Sequence, residues 1–482
     1  MADNTSLTND RQEPENIPFL VQQLRTTEDN AILKQTAKLL GALGAGNSDA
    51  INALIHLVRT TPDEPTRWVG IQSLGEIGTN NNEAIQTLIE QLSIAREPTR
   101  KIAAKNLVKI AVGNQEAITA LSNLEKSTSD DITRGAIAYV LGRIGKGYRH
   151  AVQALIDAIY RSEYDYTHKV SIDNLGRLED SSQDTIKALI HAVHKAENHQ
   201  TRFLALSILE RIAIGNAEAV QQLTAMLESG QLDERSDYSI AMTLAKLDAN
   251  AIIKLAEYSQ NKHLCQVVAE SLGYVDVGNA GAIKALINLL HRSQNEAILL
   301  IPAISSLEKI AVGNPDAIGT LMEMLPYRQS WDCAAIIRGL SRIGGDRPDV
   351  LNALIDLACT SQDLEECRAV AEVFGEMTVT NSQVVNALIY LLRTYDDFNL
   401  RYFATESLKV LDISNECKVE AIVAVLPTLK NSERYWDIVK VLGEIGVGNS
   451  LAIAAISNIL QDCQDEAYHY LVSNLLKKMA SN

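Results

Sequence analysis

The eleven residues AVGNQEAITAL at 111–121 return as AVGNPDAIGTL at 311–321 and, altered, as GVGNSLAIAAI at 446–456. Phrases of this kind recur along the whole chain. A Gly-Asn pair stands at 46–47, 113–114, 215–216, 278–279, 313–314 and 448–449. An apolar anchor follows at Ile51, Ile85, Ile118, Val152, Ile186, Val220, Ile252, Ile283, Ile318, Leu351, Val385, Ile422 and Ile453, with Ile17 fitting one step earlier. The spacings run from 31 to 37 residues and average about 33.5. A fixed period of this size is the mark of a solenoid, in which each unit buries its apolar face against its neighbours.

The phrase itself reads as a joint between helices. In VGNPDAI, 312–318, Gly313 can take the left-handed conformation that closes a helix. Asn314 is a strong N-cap, because its side chain accepts from an orphan backbone N–H. Pro315 suits the first helical position, where no N–H is needed, and Asp316 favours the positive end of the helix dipole. Each unit therefore holds two helices. Helix A is typified by AINALIHLVRT at 50–60, with apolar residues at i, i+3, i+4 and i+7. Helix B is typified by TRWVGIQSLGEIG at 66–78. Fourteen units consume the chain after a short polar tail. The expectation is all-α: an α-solenoid of about fourteen two-helix repeats over 15–482, following a disordered tail at 1–14.

The helix B ending SLGEIG, 73–78, carries an Arg seven residues before its Leu, and LGRIG (141–145), LGRL (175–178), LGYV (272–275) and LGEIG (442–446) repeat it. These residues resemble the HEAT-like repeats of phycobilisome lyase proteins, over roughly residues 15–480. The tetratricopeptide and ankyrin signatures, of similar period, are absent. The resemblance implies a right-handed superhelical arc with helix B on the concave side. It also implies a possible activity, since some members attach, remove or handle bilin chromophores on phycobiliproteins.

Composition narrows the function. Hydrophobic residues make up 46% and aromatic residues only 5%, so the core is aliphatic. The net charge of −16 opposes a nucleic-acid partner, whose binders carry a basic footprint. The start is polar and acidic, without the apolar core of a signal peptide. No apolar run reaches the 18–20 residues that span a bilayer. Cys265, Cys333, Cys359, Cys367, Cys417 and Cys463 show no CxxC spacing, which suits free thiols in a cytoplasmic protein.

Against that acidity, one column of helix B stands out. With Arg67 as position zero and 100° per residue, Ile71, Leu74 and Ile77 face the core, while positions +1, +5 and +9 face away. The +9 column reads Glu76, Lys109, Arg143, Arg177, Arg211, Lys246, Tyr274, Lys309, Arg342, Glu376, Val410, Glu444. Lys105 and Arg338 extend it at +5, with Tyr139 interleaved. The helix dipole alone favours cations in a last turn, by about 0.3–1 kcal/mol. Yet Glu takes the slot at both ends, which marks a bounded cationic track. Such a track suits an acidic protein or peptide segment, with a phycobiliprotein one candidate. The +1 aromatics Trp68, Phe203, Tyr238, Tyr402 and Trp436 flank it, and Trp331 is a further candidate anchor. The zero column (Arg67, Arg100, Arg134, His168, Arg202, Asp237, Cys265, Leu300, Cys333, Cys367, Arg401, Tyr435) reads as a structural ladder tying repeats to neighbouring turns.

Recognisable catalytic chemistry is missing. His191, His194 and His199 lack a third metal ligand at fixed reach. GRIGKG at 142–147 lacks the P-loop spacing and any preceding strand. No Ser-His-Asp order is evident. The sequence points to a non-enzymatic interaction scaffold that uses no cofactor. The alternatives are a phycobilin lyase-like chromophore handler with a bilin, or a regulatory adaptor with a different partner.

Overall fold

The computed structural model describes residues 16–292, 297–327, 330–377, 382–428 and 433–480. The tail at 1–14 lies outside them. Among the described residues there are 28 α-helices and no strand. They fall into two compact units, Met1–Leu247 and Asp248–Asn482, of seven helix pairs each. In the first, the pairs are α1 (Ile17–Thr26) with α2 (Asn30–Leu43), α3 (Ser48–Thr60) with α4 (Glu64–Ile77), and α5 (Asn82–Ile94) with α6 (Thr99–Ile110). There follow α7 (Gln115–Ser127) with α8 (Asp131–Ile144), and α9 (Arg149–Arg161) with α10 (Asp165–Leu178). The last two are α11 (Gln183–Lys195) with α12 (His199–Ile212), and α13 (Ala217–Ser229) with α14 (Glu234–Leu247).

In the second unit, α15 (Ala249–Tyr258) pairs with α16 (Lys262–Leu272), α17 (Ala280–Arg292) with α18 (Ala297–Ile310), and α19 (Pro315–Met324) with α20 (Ser330–Gly344). Then come α21 (Pro348–Thr360) with α22 (Leu364–Glu376), and α23 (Ser382–Thr394) with α24 (Phe398–Val410). The series closes with α25 (Asn415–Val425) and α26 (Glu433–Ile445), then α27 (Ser450–Asp462) and α28 (Glu466–Ala480). All fourteen predicted anchors lie on the odd-numbered helices. Within each unit odd helices stack on odd and even on even, which makes the fold an α-solenoid.

The joint is built largely as the sequence indicates. Asn47, Asn114, Asn216, Asn279, Asn314 and Asn449 each accept from the backbone N–H three residues on, at 2.9–3.0 Å. Asn81 does the same at 2.9 Å without a preceding glycine. The glycine differs from expectation in one respect. Helix B ends before it, with Ala111 and Ala311 as caps, and the glycine at positive φ makes the turn beyond. Its freed N–H donates to the last carbonyls of the next repeat's helix B. Gly113 reaches Ile144 O at 3.3 Å, Gly278 reaches Ile310 O at 2.8 Å, and Gly313 reaches Ile343 O at 2.7 Å. Those carbonyls have no partner within their own helix. Asn80, at φ 57°, takes the glycine's place and reaches Ile110 O at 2.9 Å.

The Leu-Gly step of helix B has a separate cause. A Cβ on Gly142 would stand 2.1 Å from the Asn174 side chain, on Gly176 2.7 Å from Ile208, and on Gly375 2.5 Å from Ser407. These glycines let successive B helices approach closely.

The zero column ends helix A. Arg100 Nε donates to Leu92 O and Arg202 Nε to Val193 O, both at 3.0 Å. His168 contacts Ile159 O at 3.0 Å, and Cys265 Sγ donates to Ser259 O at 3.4 Å. Arg100 and Arg202 also pair with Asp130 and Asp233 in the following repeat's turn, at 3.3 and 3.0 Å. The column thus satisfies orphan carbonyls and ties repeats together.

One helix A departs from its apolar pattern. Glu125, 1% exposed, occupies the slot held by Leu92 in α5 and Val193 in α11. Its Oε1 lies 3.3 Å from Arg134 Nε and 3.2 Å from Arg161 Nη1, while Oε2 has no hydrogen-bond partner. Burial pushes this carboxyl above the usual glutamate range, outweighing both guanidiniums.

Two predictions follow from this packing. Gly142→Ala lowers the thermal midpoint, losing about 1–3 kcal/mol through overpacking. Gly319→Ala, inside α19 with nothing within 4 Å of the added Cβ, raises it, gaining about 0.5–1 kcal/mol of stability. For Glu125, the folded carboxyl holds its proton at a pH where the unfolded one has lost it. Its contribution is therefore complete below the unfolded value and is lost as pH rises through the folded one. Urea midpoints of wild type relative to Glu125→Gln should fall across that window, and parallel profiles would contradict this.

Candidate partner-binding face

The predicted outward column is outward. Among its members Glu76, Lys109, Arg177, Arg211, Lys246, Tyr274, Lys309, Arg342, Glu376, Val410 and Glu444 are exposed, and Arg143 is half-buried. Lys105 is exposed at +5, with Tyr139 and Arg338 half-buried. The seven basic members all lie in the last turn of their helices, where the dipole favours them.

Most of these cations already have partners in the chain. In the first unit, Lys246 Nζ lies 2.7 Å from Glu210 on α12, and Arg177 Nε lies 3.0 Å from Asp173 one turn back. Arg211 donates to Gly176 O at 3.3 Å. In the second unit, Arg342 sits between Glu308 on α18 at 3.1 Å and Glu376 on α22 at 3.8 Å. Arg338 holds Glu372 at 3.1 Å, and Lys309 lies 4.6 Å from the Tyr274 ring centroid. The hydrogen bond from Arg342 to Glu308 holds its guanidinium above the usual range, against partial burial.

A rule links these pairs. Where helix B lacks the Leu-Gly glycine, the residue in that slot is often charged and meets the +9 residue of the next B helix with opposite sign. Glu210 meets Lys246, Glu308 meets Arg342, and Lys409 meets Glu444 at 2.7 Å. Wheel analysis of a single helix hides this, because the partners are 34–36 residues apart. Of the glutamates bounding the column, Glu444 is such a partner, and Glu376 meets Arg342 at 3.8 Å from one +9 position to the next.

Lys105, Lys109 and Arg143 differ from the ion-paired members, as do Arg211 and Lys309. None has a carboxylate partner among the described residues. Arg143 lies over the Tyr139 ring at 3.8 Å and donates to Asn174 Oδ1 at 2.9 Å. Cations on α6 and α8 are therefore left to solvent, in a chain of net charge −16.

The flanking aromatics divide. Trp68 Nε1 donates to Thr99 Oγ1 at 2.6 Å, and Trp436 stacks on Tyr468 at 4.0 Å, so both serve contacts between repeats. Tyr238 is half-buried, while Phe203 and Tyr402 are 57% and 56% exposed. Trp331 lies outside the described side chains. His191 packs on Tyr160 at 4.6 Å, and no cluster of three or more metal-ligating side chains occurs among the described residues. Cys333 and Cys367 are buried, and burial pushes their thiols up to about 12 and about 11. Neither is a nucleophile at neutral pH. No helix among the described residues is long and apolar enough to cross a membrane.

Comparison with known proteins agrees with this architecture. Residues 17–108, spanning α1 to nearly the end of α6, match the profile of HEAT repeats. That match is to HEAT repeats in general and does not specify the phycobilisome lyase type. No curated protein matches the chain. Similar solved structures include Kap95p with RanGDP, at 14% identity and TM-score 0.46, covering 97% of this chain and 66% of that one. Importin beta gives 12%, 0.49, 97% and 75%. Kap121p bound to Pho4p gives 13%, 0.49, 97% and 54%. The chain thus spans just under two thirds of Kap95p and about half of Kap121p. At such identities and TM-scores the likeness says nothing about partners.

The pairing rule is testable by a double-mutant cycle on Glu210→Gln and Lys246→Gln. The exposed pair should show a coupling of about 0.2–1 kcal/mol that shrinks with added salt. Strict additivity at low salt would contradict it.

Proposed function

We propose that this chain is a non-enzymatic protein-interaction scaffold that holds an acidic segment of a partner against the outward face of α6 and α8. The observation that supports this reading is the contrast within one column. Lys246, Arg338 and Arg342 are neutralised within the chain, whereas Lys105, Lys109 and Arg143 meet no carboxylate. Unpaired cations on a rigid surface raise the local concentration of anionic segments and speed encounter. Tyr139 holds the Arg143 guanidinium in place, which lowers the entropy lost on binding. Each contact is modest, and association is screened by salt over about 8 Å at physiological ionic strength.

A fluorescent deca-glutamate peptide tests this by anisotropy at low salt. Combined Lys105→Glu, Lys109→Glu and Arg143→Glu should weaken binding at least about tenfold, ~1.4 kcal/mol. Arg342→Gln should leave it unchanged. Equal binding by wild type and the triple variant would refute the reading.

A further inference from the structure

Resting on that reading, we infer that the partner segment is a polyproline II stretch carrying a carboxylate at every third residue, laid across α6, α8, α10 and α12. Lys109, Arg143, Arg177 and Arg211 occupy the same position on four successive B helices of the first unit. Adjacent members are therefore one helix spacing apart, 8–10 Å. A Cβ on Gly142 or Gly176 would collide with the next B helix, so the steps from α8 to α10 and from α10 to α12 are close-packed. Arg143 donating to Asn174 on α10, and Arg211 donating to Gly176 O on α10, show how near the neighbours are.

An occupant must present acidic groups at that repeat and on one side. A β-strand advances about 10 Å in three residues, but its third residue points to the opposite face. An α-helix returns to one face after seven residues and about 10.5 Å. That lies beyond the range of about 8–10 Å and drifts out of phase over four rungs. Polyproline II has three residues per turn and rises about 9.3 Å in that turn, so every third side chain faces the same way at the matching spacing. It is also preformed, and its backbone needs no hydrogen-bond partner from the protein.

The face offers two further matches. Polyproline II segments dock on exposed rings. Tyr139 on α8 is half-buried and lies 3.8 Å from the Arg143 guanidinium, whereas Phe203, 57% exposed, stands about 12 Å along α12 from Arg211. The contacts held by Arg177 and Arg211 are exchangeable. The Arg177–Asp173 pair is exposed on both sides, where such bridges contribute little. Arg211 gives up only one long hydrogen bond to a carbonyl.

The test uses the full chain and three labelled peptides of equal length and charge. One repeats Glu-Pro-Pro, one places the same residues as a glutamate block followed by a proline block, and one repeats Glu-Gly-Gly. The Glu-Pro-Pro peptide should bind about tenfold tighter than either other, and Arg143→Gln with Arg211→Gln should reduce that preference to threefold or less. Equal binding of the block peptide would overturn the three-residue register and leave the acidic-partner reading standing. Equal binding of Glu-Gly-Gly would overturn the polyproline II conformation alone. No binding by any of the three would remove the register and the acidic-partner reading together.

Discussion

The hydrogen bond from the joint to the next repeat is the contact on which the other features depend. Gly113, Gly215, Gly278, Gly313 and Gly448 all donate a backbone N–H to one of the last carbonyls of the following helix B. A turn at positive φ, which a Cβ would strain, is what aims that N–H outward. The asparagine beside it starts the next helix A in the same few residues. One short phrase thus closes a helix, opens another and fixes the neighbour's position. Where repeats within a unit are held in this way, as at Asn80, Gly113, Gly215, Gly278, Gly313 and Gly448, equivalent residues on successive B helices fall into columns.

Columns give a charged residue two roles. A cation at +9 can be matched by an acid on the preceding B helix, and it then strengthens the stack. Glu210 with Lys246 and Glu308 with Arg342 do this, and Lys409 with Glu444 does it with the signs reversed. Without a partner, the same cation faces solvent and is open to a foreign carboxylate. Around Lys109 and Arg143 the matching acids are absent, since the Leu-Gly slot of the preceding B helix holds Gly75 on α4 and Val108 on α6. A glycine there allows close packing but carries no charge, so neutrality and proximity compete for one position.

Much of this was legible in the sequence. The repeat count, the paired helices, the asparagine caps and the outward direction of +9 follow from periodicity and local rules, which act within a few residues. The roles of Trp68 and Trp436 were not legible, because each is set by a residue about 32 positions away, Thr99 or Tyr468. Pairing of Arg342 with Glu308 was hidden for the same reason. Glu125 is legible as a local signal. It interrupts the aliphatic series at one helix A position, and a charge there must be buried with partners.

Capture of an acidic segment depends on which lysines are free. Quantitative acetylation of the native protein, read by mass spectrometry with and without the Glu-Pro-Pro peptide, measures this residue by residue. Lys105 and Lys109 should react faster than Lys246 and Lys409 in the free chain, and should be selectively protected when the peptide is added. Protection confined to Lys246, Lys309 or Lys409, or reactivity at Lys105 and Lys109 no greater than at the paired lysines, would contradict the account.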